Sequence, residues 1–296
     1  MNLTGILTAL LSALFMGTVG VFAKFTNLSA EVITLFRLGL GAVFMLLFLL
    51  LSNQGKRIMS PPSWPVLMNG AMLAGFIIFY VQAMSFTTMA NAIMLVYLAP
   101  LVASIYAHLF LGERLNSISA ALIGLALFGF AMLMEFRLDF DGDRSHLYGI
   151  GLGVASMFCY AAFILINRII NPAIHVFTRT FYQLLTGALI MLPLCLWQWP
   201  PLPLKLWPWL AGVGLIPGFL AILCAVIALS RLPAATFGTL AYCEPIAVII
   251  FGWTLFGESL STLQIGGCVL IIASGILATL AATMRSSRNT TQGNQR

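Results

Sequence analysis

Two charged side chains lie inside apolar stretches of the chain. Glu244 is followed by Pro245 near the middle of an apolar segment over 235–256, and Arg37 lies about two turns into another over 31–51. If these segments cross a membrane, ionisable residues within them are costly and are functional candidates by default. Glu244 could accept a proton or bind the ammonium group of a substrate. Arg37 could bind a carboxylate, whose geometry its guanidinium fork matches.

Each of these residues also has a structural explanation. A protonated Glu244 could bond a neighbouring helix beside the proline, and Arg37 could extend towards the membrane surface. Polar side chains on the neighbouring apolar segments could contact substrate or bond another helix. These further candidates are Tyr97, Asn91, Tyr242 and Gln82. Two prolines would break their helices and free a backbone carbonyl towards a cavity, namely Pro100 and Pro245.

The amino-acid composition indicates that these segments are surrounded by lipid rather than by water. The chain is 61% apolar and only 7% charged, against about 45–50% and about 25% in soluble domains. This excludes a cytosolic enzyme, a disordered chain and a collagen-like fibre, and +6 without a basic stripe excludes a nucleic-acid binder. The five cysteines are scattered singly, so neither a metal site nor a cofactor is expected. The remaining class is a polytopic membrane protein, with the lipid bilayer as its partner.

The apolar runs are continuous, as in membrane helices, rather than alternating, as in barrel strands. The sequence predicts an all-α integral membrane protein with ten transmembrane helices. They are placed near 3–23, 31–51, 66–85, 90–111, 117–135, 147–168, 178–197, 208–229, 235–256 and 262–283. If the N-terminus is cytoplasmic, the cytoplasmic side holds nine Lys and Arg and the other side four. Both termini are therefore predicted to be cytoplasmic.

The chain contains an internal repeat. Tyr97-Leu98-Ala99-Pro100 recurs 145 positions later as Tyr242-Cys243-Glu244-Pro245, and the same offset carries Gly112-Glu113 onto Gly257-Glu258. An offset of 144 carries Ser12 and Lys24 onto Ser156 and Arg168. We therefore predict two five-span repeats, over 1–136 and 147–283, followed by a polar cytoplasmic tail over 284–296 that is disordered from Arg285.

Five is odd, so the second repeat would cross the membrane in the opposite sense. Matched loops should then differ in their content of Lys and Arg. As expected, the position that matches Arg114 is occupied by Ser259. The matched residues Lys24 and Arg168 are an exception, since both are basic. Inverted repeats of this kind are characteristic of transporters, whose substrate sites lie between the repeats.

These residues carry a family resemblance that covers nearly the whole chain. The chain resembles the bacterial EamA-type ten-span transporters of the drug/metabolite transporter superfamily. The segments are Phe36-Arg37-Leu38, Ala90-Asn91-Ala92 through Leu98-Ala99-Pro100, Leu109-Phe110-Leu111-Gly112-Glu113-Arg114-Leu115, Leu232-Pro233-Ala234-Ala235, Tyr242-Cys243-Glu244-Pro245 and Phe256-Gly257-Glu258-Ser259-Leu260. The resemblance implies secondary transport of small metabolites such as amino acids, commonly export, in the cytoplasmic (inner) membrane of a bacterium.

The favoured function is efflux of an amino acid or related small polar metabolite by alternating access. Proton coupling, direction and the choice between monomer and homodimer stay open, and some members of the family import vitamins or other nutrients. An intramembrane enzyme is disfavoured because the spans contain no HExxH or GxSxG motif and no aspartate. A sensor or scaffold would be expected to carry a soluble domain, and a channel fits an inverted repeat with a proline-broken span less well.

Overall fold

A computed structural model describes residues 3–57, 62–113, 117–136, 144–196 and 199–293, and over these ranges it contains helices and no strand. The main helices are α1 (Leu3–Thr26), α2 (Ala30–Leu51), α3 (Trp64–Ala83), α4 (Met89–Tyr97 and Ala99–Phe110), α5 (Ser117–Leu133), α6 (Arg144–Ile169), α7 (Val176–Leu196), α8 (Leu204–Leu229), α9 (Ala234–Ala241 and Cys243–Phe256) and α10 (Thr262–Gly293).

Eight of these helices are long and apolar enough to cross a membrane, each with 20 to 26 residues. The other two are shorter apolar helices, α5 and the Thr262–Ala278 part of α10. A lipid core of about 30 Å needs about 20 helical residues. The all-α class and a multi-pass membrane protein are thereby confirmed.

The C-terminal tail differs from the prediction. Disorder was expected from Arg285, but α10 continues as a helix to Gly293. The physical reason is that no proline or glycine lies between Gly275 and Gly293 to end the helix. The residues beyond Gly293 lie outside the described ranges.

Three helices are interrupted near a proline, and α1 is interrupted at Thr18. α4 breaks at Leu98 and α9 at Tyr242, in each case two or three residues before a proline. Proline has no N–H to donate to the carbonyl four residues earlier. The carbonyls that lose this donor belong to Val96 and Ala241. α8 contains a π-helical turn over Gly214–Leu220, with Pro217 inside it.

The packing of the helices relates the first five to the last five. α3 packs on α6, just as α8, which matches α3 in the repeat, packs on α1, which matches α6. In the same way α4 packs on α6, and α9, which matches α4, packs on α1. α2 packs on α7 and α5 on α10, which are contacts between equivalent helices. Two hydrogen bonds also join the first helix of one half to the third helix of the other. Ser12 on α1 donates to the Ala221 carbonyl on α8, and Ser156 on α6 donates to the Phe76 carbonyl on α3.

The backbones of α2 and α8 cross closely at glycines. A Cβ atom on Gly218 would overlap the carbonyl oxygen of Arg37, and one on Gly41 would lie 3.1 Å from the Gly218 carbonyl carbon. Small residues of this kind allow membrane helices to approach closely. The crossing holds the backbone of Arg37 against the π-helical turn of α8.

Candidate substrate cavity

A cavity of about 250 Å³ lies between the two halves of the bundle. Its wall is formed by residues of α1, α2, α3, α4, α6, α8 and α9. Drug-sized ligands occupy pockets of about 300–1,000 Å³, so this cavity suits a smaller molecule.

The cavity is displaced towards one end of the bundle. Ala23 and Ala30, on either side of the α1–α2 connection, line it, and we call this the Lys24 end. The opposite end, where α1 begins and Gly5 packs against Leu232, is the Arg168 end. Lys24 and Gly5 are separated by about 28 Å along the helix, at about 1.5 Å per residue.

Arg37 reaches the cavity from α2. It is 7% exposed and lines the wall, and its Nε and Nη2 atoms are buried without a hydrogen-bond partner in the described chain. These two nitrogens form one edge of the guanidinium group. A buried charged group needs partners, so this edge is available to an acceptor in the cavity.

Glu244 reaches the same cavity from α9, in the first turn after the break at Tyr242. Partial positive charge at a helix N-terminus favours a carboxylate in the first turn. Glu244 interacts electrostatically with Arg37 and has Tyr97 as a hydrogen-bonding neighbour. The structure therefore brings together the two charges that the sequence placed inside spans.

Three tyrosines line the same cavity as the Glu244 carboxyl group. Tyr80, Tyr97 and Tyr160 line the cavity and interact electrostatically with Glu244. Tyr160 was missed among the candidates, although a polar group in the middle of an apolar stretch is a signal that could have found it. Their hydroxyls add hydrogen-bonding groups to a cavity that holds one carboxyl group.

Tyr242 lies behind this site. Its ring is fully buried, its hydroxyl donates to the Tyr97 carbonyl, and the two rings are 5.7 Å apart. Tyr242 also packs near Phe130, outside the cavity wall. It positions Tyr97 at the break of α4.

Asn91 and Gln82 do not line the cavity as the described residues define it. The Asn91 side chain lies 3.2 Å from the Thr87 hydroxyl and 3.3 Å from His146. This places Asn91 in a polar cluster between α4 and the start of α6. Of the two predicted proline positions, Pro245 directly follows the cavity residue Glu244, and Pro100 is buried against Gly238.

Away from these groups the wall is apolar except for Ser12 and Thr34. Its larger side chains are Leu73, Phe76, Phe163, Ile222 and Phe237. Over the described ranges, no group of three or more His, Cys, Asp or Glu is placed to hold a metal ion. The arrangement provides one cation, one carboxyl group and several hydroxyls within an apolar enclosure.

A multi-pass helical bundle with a cavity between its two halves is an arrangement that membrane transporters use. The profile of the EamA-like transporter family matches residues 3–134 and 147–280, and the chain belongs to this family. The resemblance found in the sequence is confirmed.

The threonine/homoserine exporter RhtA of Escherichia coli (strain K12) is 27% identical over 271 residues, covering 88% of this chain and 86% of that protein. The pseudopaline exporter CntI of Pseudomonas aeruginosa (strain UCBPP-PA14) is 24% identical over 278 residues, covering 92% and 95%. One solved crystal structure shares the fold, with a TM-score of 0.83 at 20% identity over 94% of this chain and 98% of that one. Both RhtA and CntI are named as exporters.

Proposed function

We propose that this protein is a secondary transporter that exports a small amino acid or a related zwitterionic metabolite across the bacterial inner membrane by alternating access. The observation that carries the proposal is the unpartnered edge of Arg37 in the same cavity as Glu244.

Arg37 is proposed to bind the carboxylate of the substrate. Its free Nε and Nη2 atoms are the pair that donates two parallel hydrogen bonds to one carboxylate. Arg37 is held by the close crossing of α2 and α8, so its backbone is fixed before substrate arrives. A preorganised group of this kind binds with a smaller entropy cost.

Glu244 is proposed to bind the ammonium group. Its neighbours Tyr80, Tyr97 and Tyr160 could complete the hydrogen bonding of an ammonium that has left water. The remaining wall is mostly apolar and would contact the carbon skeleton of the substrate. A zwitterion is therefore a better match than a neutral sugar, which would bring no opposite charge to either group.

The relatives support export rather than import. Two of them are named as exporters, and the substrates in one of those names, threonine and homoserine, are amino acids. We also propose that the two halves are inverted repeats and that both termini are cytoplasmic. In that orientation the Lys24 end faces outward, and the cavity lies nearer the outside of the cell than the cytoplasm.

The proposal is tested with purified protein in liposomes loaded with a mixture of amino acids. We expect efflux of a subset of them, measured by mass spectrometry of the external solution. Arg37→Gln should reduce that efflux at subsaturating substrate by at least about tenfold, because a hydrogen bond to a charged group contributes about 1.5–3 kcal/mol.

The control is Lys205→Gln, which removes one positive charge outside the cavity wall. It should leave efflux unchanged. Amino-acid efflux that is insensitive to Arg37→Gln, or no efflux of any zwitterion, would contradict the proposal. Metabolite profiling of growth medium from overexpressing and deletion strains then gives the direction in cells.

A further inference from the structure

Two ion pairs join the first half of the chain to the second. Lys24, at the end of α1, pairs with Glu258, which follows α9. Arg168, near the end of α6, pairs with Glu113, which follows α4; its Nε donates to Oε1 of Glu113 at 2.7 Å.

Each pair is the counterpart of the other. An offset of 144 carries Lys24 onto Arg168, and an offset of 145 carries Glu113 onto Glu258. Both pairs therefore bridge between the halves, and they do so at opposite ends of the bundle. This accounts for the two basic positions that break the charge reversal expected between matched loops, since each position needs a basic residue for its own pair.

The pair at the Arg168 end is bonded to the backbone. Arg168 Nη1 donates to the Leu229 carbonyl at 2.9 Å, and Oε2 of Glu113 accepts the Ala234 N–H at 2.9 Å. The side chains of Arg168 and Glu113 are only 23% and 19% exposed. The pair thus ties α6 and the α4–α5 connection to both sides of the α8–α9 connection.

The pair at the Lys24 end is open to solvent. The side chains of Lys24 and Glu258 are 52% and 53% exposed, and Lys24 lies over the Phe256 ring. The counterparts of Leu229 and Ala234 are Met84 and Met89, on either side of the α3–α4 connection. Within the described ranges, neither Lys24 nor Glu258 is hydrogen-bonded to Met84 or Met89.

The position of the cavity agrees with this asymmetry. Ala23, next to Lys24, lines the cavity, whereas the lining residues of α8 stop at Ala225, one turn before Leu229. The partly buried, backbone-bonded pair lies at the end that the cavity does not reach, and the exposed pair lies at the other end, where Lys24 is next to the lining residue Ala23.

We propose that the two ion pairs are alternating gates, one at each membrane face. Arg168 and Glu113 close one face in the state described here. In the opposite state this pair separates, while Lys24 donates to the Met84 carbonyl and Glu258 accepts the Met89 N–H. This inference rests on the proposed alternating-access transport and assigns to four residues outside the cavity the control of which face is open.

The strengths of the two gates follow from their surroundings. An exposed ion pair contributes little, whereas partly buried, charge-assisted bonds to backbone groups are about twice as strong as neutral ones. Removing Glu113 or Arg168 should therefore destabilise the present state. Removing Glu258 or Lys24 should destabilise the opposite state, in which those residues would be bonded to the backbone.

Accessibility of a single cysteine tests the proposal without a known substrate. The reporter is Ala225→Cys, in the cavity wall, with the five native cysteines replaced by alanine. Labelling by a membrane-impermeant maleimide is measured from each side, in right-side-out and inside-out vesicles. Glu113→Gln should raise the labelling rate from the Arg168 end by at least about tenfold and lower it from the Lys24 end.

Glu258→Gln should change both rates in the opposite direction. Arg168→Lys, which keeps the charge but loses part of the bonding, should give an intermediate shift. The control is Arg57→Gln, which removes a basic group at the Arg168 end that belongs to neither pair. If Glu113→Gln does not yield folded protein, Arg168→Gln replaces it.

The proposal of two gates would be contradicted if variants of both pairs changed the labelling rates in the same direction. It would also be contradicted if the rates did not change in protein that elutes as a single folded species. The labelling experiment and the efflux experiment can fail independently of each other. Opposed labelling shifts in a protein that exports no zwitterion would leave the gates standing and reject the substrate. Efflux of amino acids without labelling shifts would support the proposed substrate and reject the gates.

Discussion

Ser12 and Ser156 make the same hydrogen bond in two places. Ser12 donates to the Ala221 carbonyl at 2.9 Å, and Ser156 to the Phe76 carbonyl at 2.6 Å. In each case the first helix of one half is bonded to the third helix of the other half. The two bonds frame the cavity, because Ser12 and Phe76 both line it.

We predict that Ser12→Ala and Ser156→Ala destabilise the protein to a similar extent. Hydrogen bonds between membrane helices contribute about 0.6 kcal/mol on average and up to about 1.7, so each change should cost about that much. Because the bonds are on different helix pairs, the double variant should cost the sum. Thermal unfolding in detergent is the measurement. Ser230→Ala is the control, since its hydroxyl bonds only the local Ile227 carbonyl and should have little effect.

The crossing of α2 and α8 gives a second prediction. Gly218→Ala should lower the unfolding temperature in detergent, because its Cβ would overlap the Arg37 carbonyl oxygen, and backbone cannot move aside cheaply. Overpacking typically costs about 1–3 kcal/mol. Alanine is otherwise the better helix former. Gly151→Ala on α6, where a Cβ would meet no atom within 4 Å, should therefore be neutral or stabilising. Equal effects of the two substitutions would contradict the crossing.

Glu244 gives a prediction about coupling. If its carboxyl group carries the coupling proton, Glu244→Gln should abolish flux driven by an imposed pH gradient in proteoliposomes, because an amide cannot release a proton. Exchange of labelled for unlabelled substrate at equal pH should persist, with weaker binding. Glu244→Asp, which keeps the titratable group, should retain part of the driven flux. Driven flux in the Gln variant equal to that of the original protein would exclude this role.

The orientation of the bundle is open to direct measurement. The distribution of Lys and Arg predicts cytoplasmic termini. Alkaline phosphatase is active only outside the cytoplasm, whereas green fluorescent protein fluoresces only inside it. Fusions of each after Thr283 should therefore give fluorescence and no phosphatase activity. The same pair of reporters inserted after Gln54, between α2 and α3, should give the same result. The opposite pattern at both sites would reverse the assignment of the Lys24 end to the outside.

The sequence predicted the helices and the two charges of the cavity for clear physical reasons. Long apolar runs have one stable form in lipid, and Arg37 and Glu244 are conspicuous because charge is rare in such runs. Which other side chains face the cavity could not be predicted. In a membrane the lipid-facing and buried sides of a helix are both apolar, so the amphipathic periodicity that marks the inner face in soluble proteins is weak.

That loss of periodicity explains the residues on which prediction and structure differ. Asn91 and Tyr160 are both polar groups within apolar stretches, and only the rotation of their helices places Tyr160 in the cavity and Asn91 against His146. The π-helical turn of α8 could not be predicted either, because Pro217 within an apolar run does not specify how the helix accommodates the proline. The inter-half pairs of Lys24 and Arg168 needed three-dimensional contacts, although the repeat had already matched their positions.

Arg37→Lys separates the charge of Arg37 from its geometry. A lysine keeps the positive charge but is a point donor on a flexible stem, without the two-nitrogen edge. We expect the apparent KM for a zwitterionic substrate to rise by about tenfold or more, the loss of one charge-assisted hydrogen bond. An amine analogue that lacks the carboxylate should bind more weakly to the original protein and be nearly unaffected by the substitution. Competition of each compound against efflux of the labelled substrate measures both. If the amine analogue and the zwitterion lose affinity equally, Arg37 is not bound to the carboxylate and acts instead on the shape or charge of the cavity as a whole.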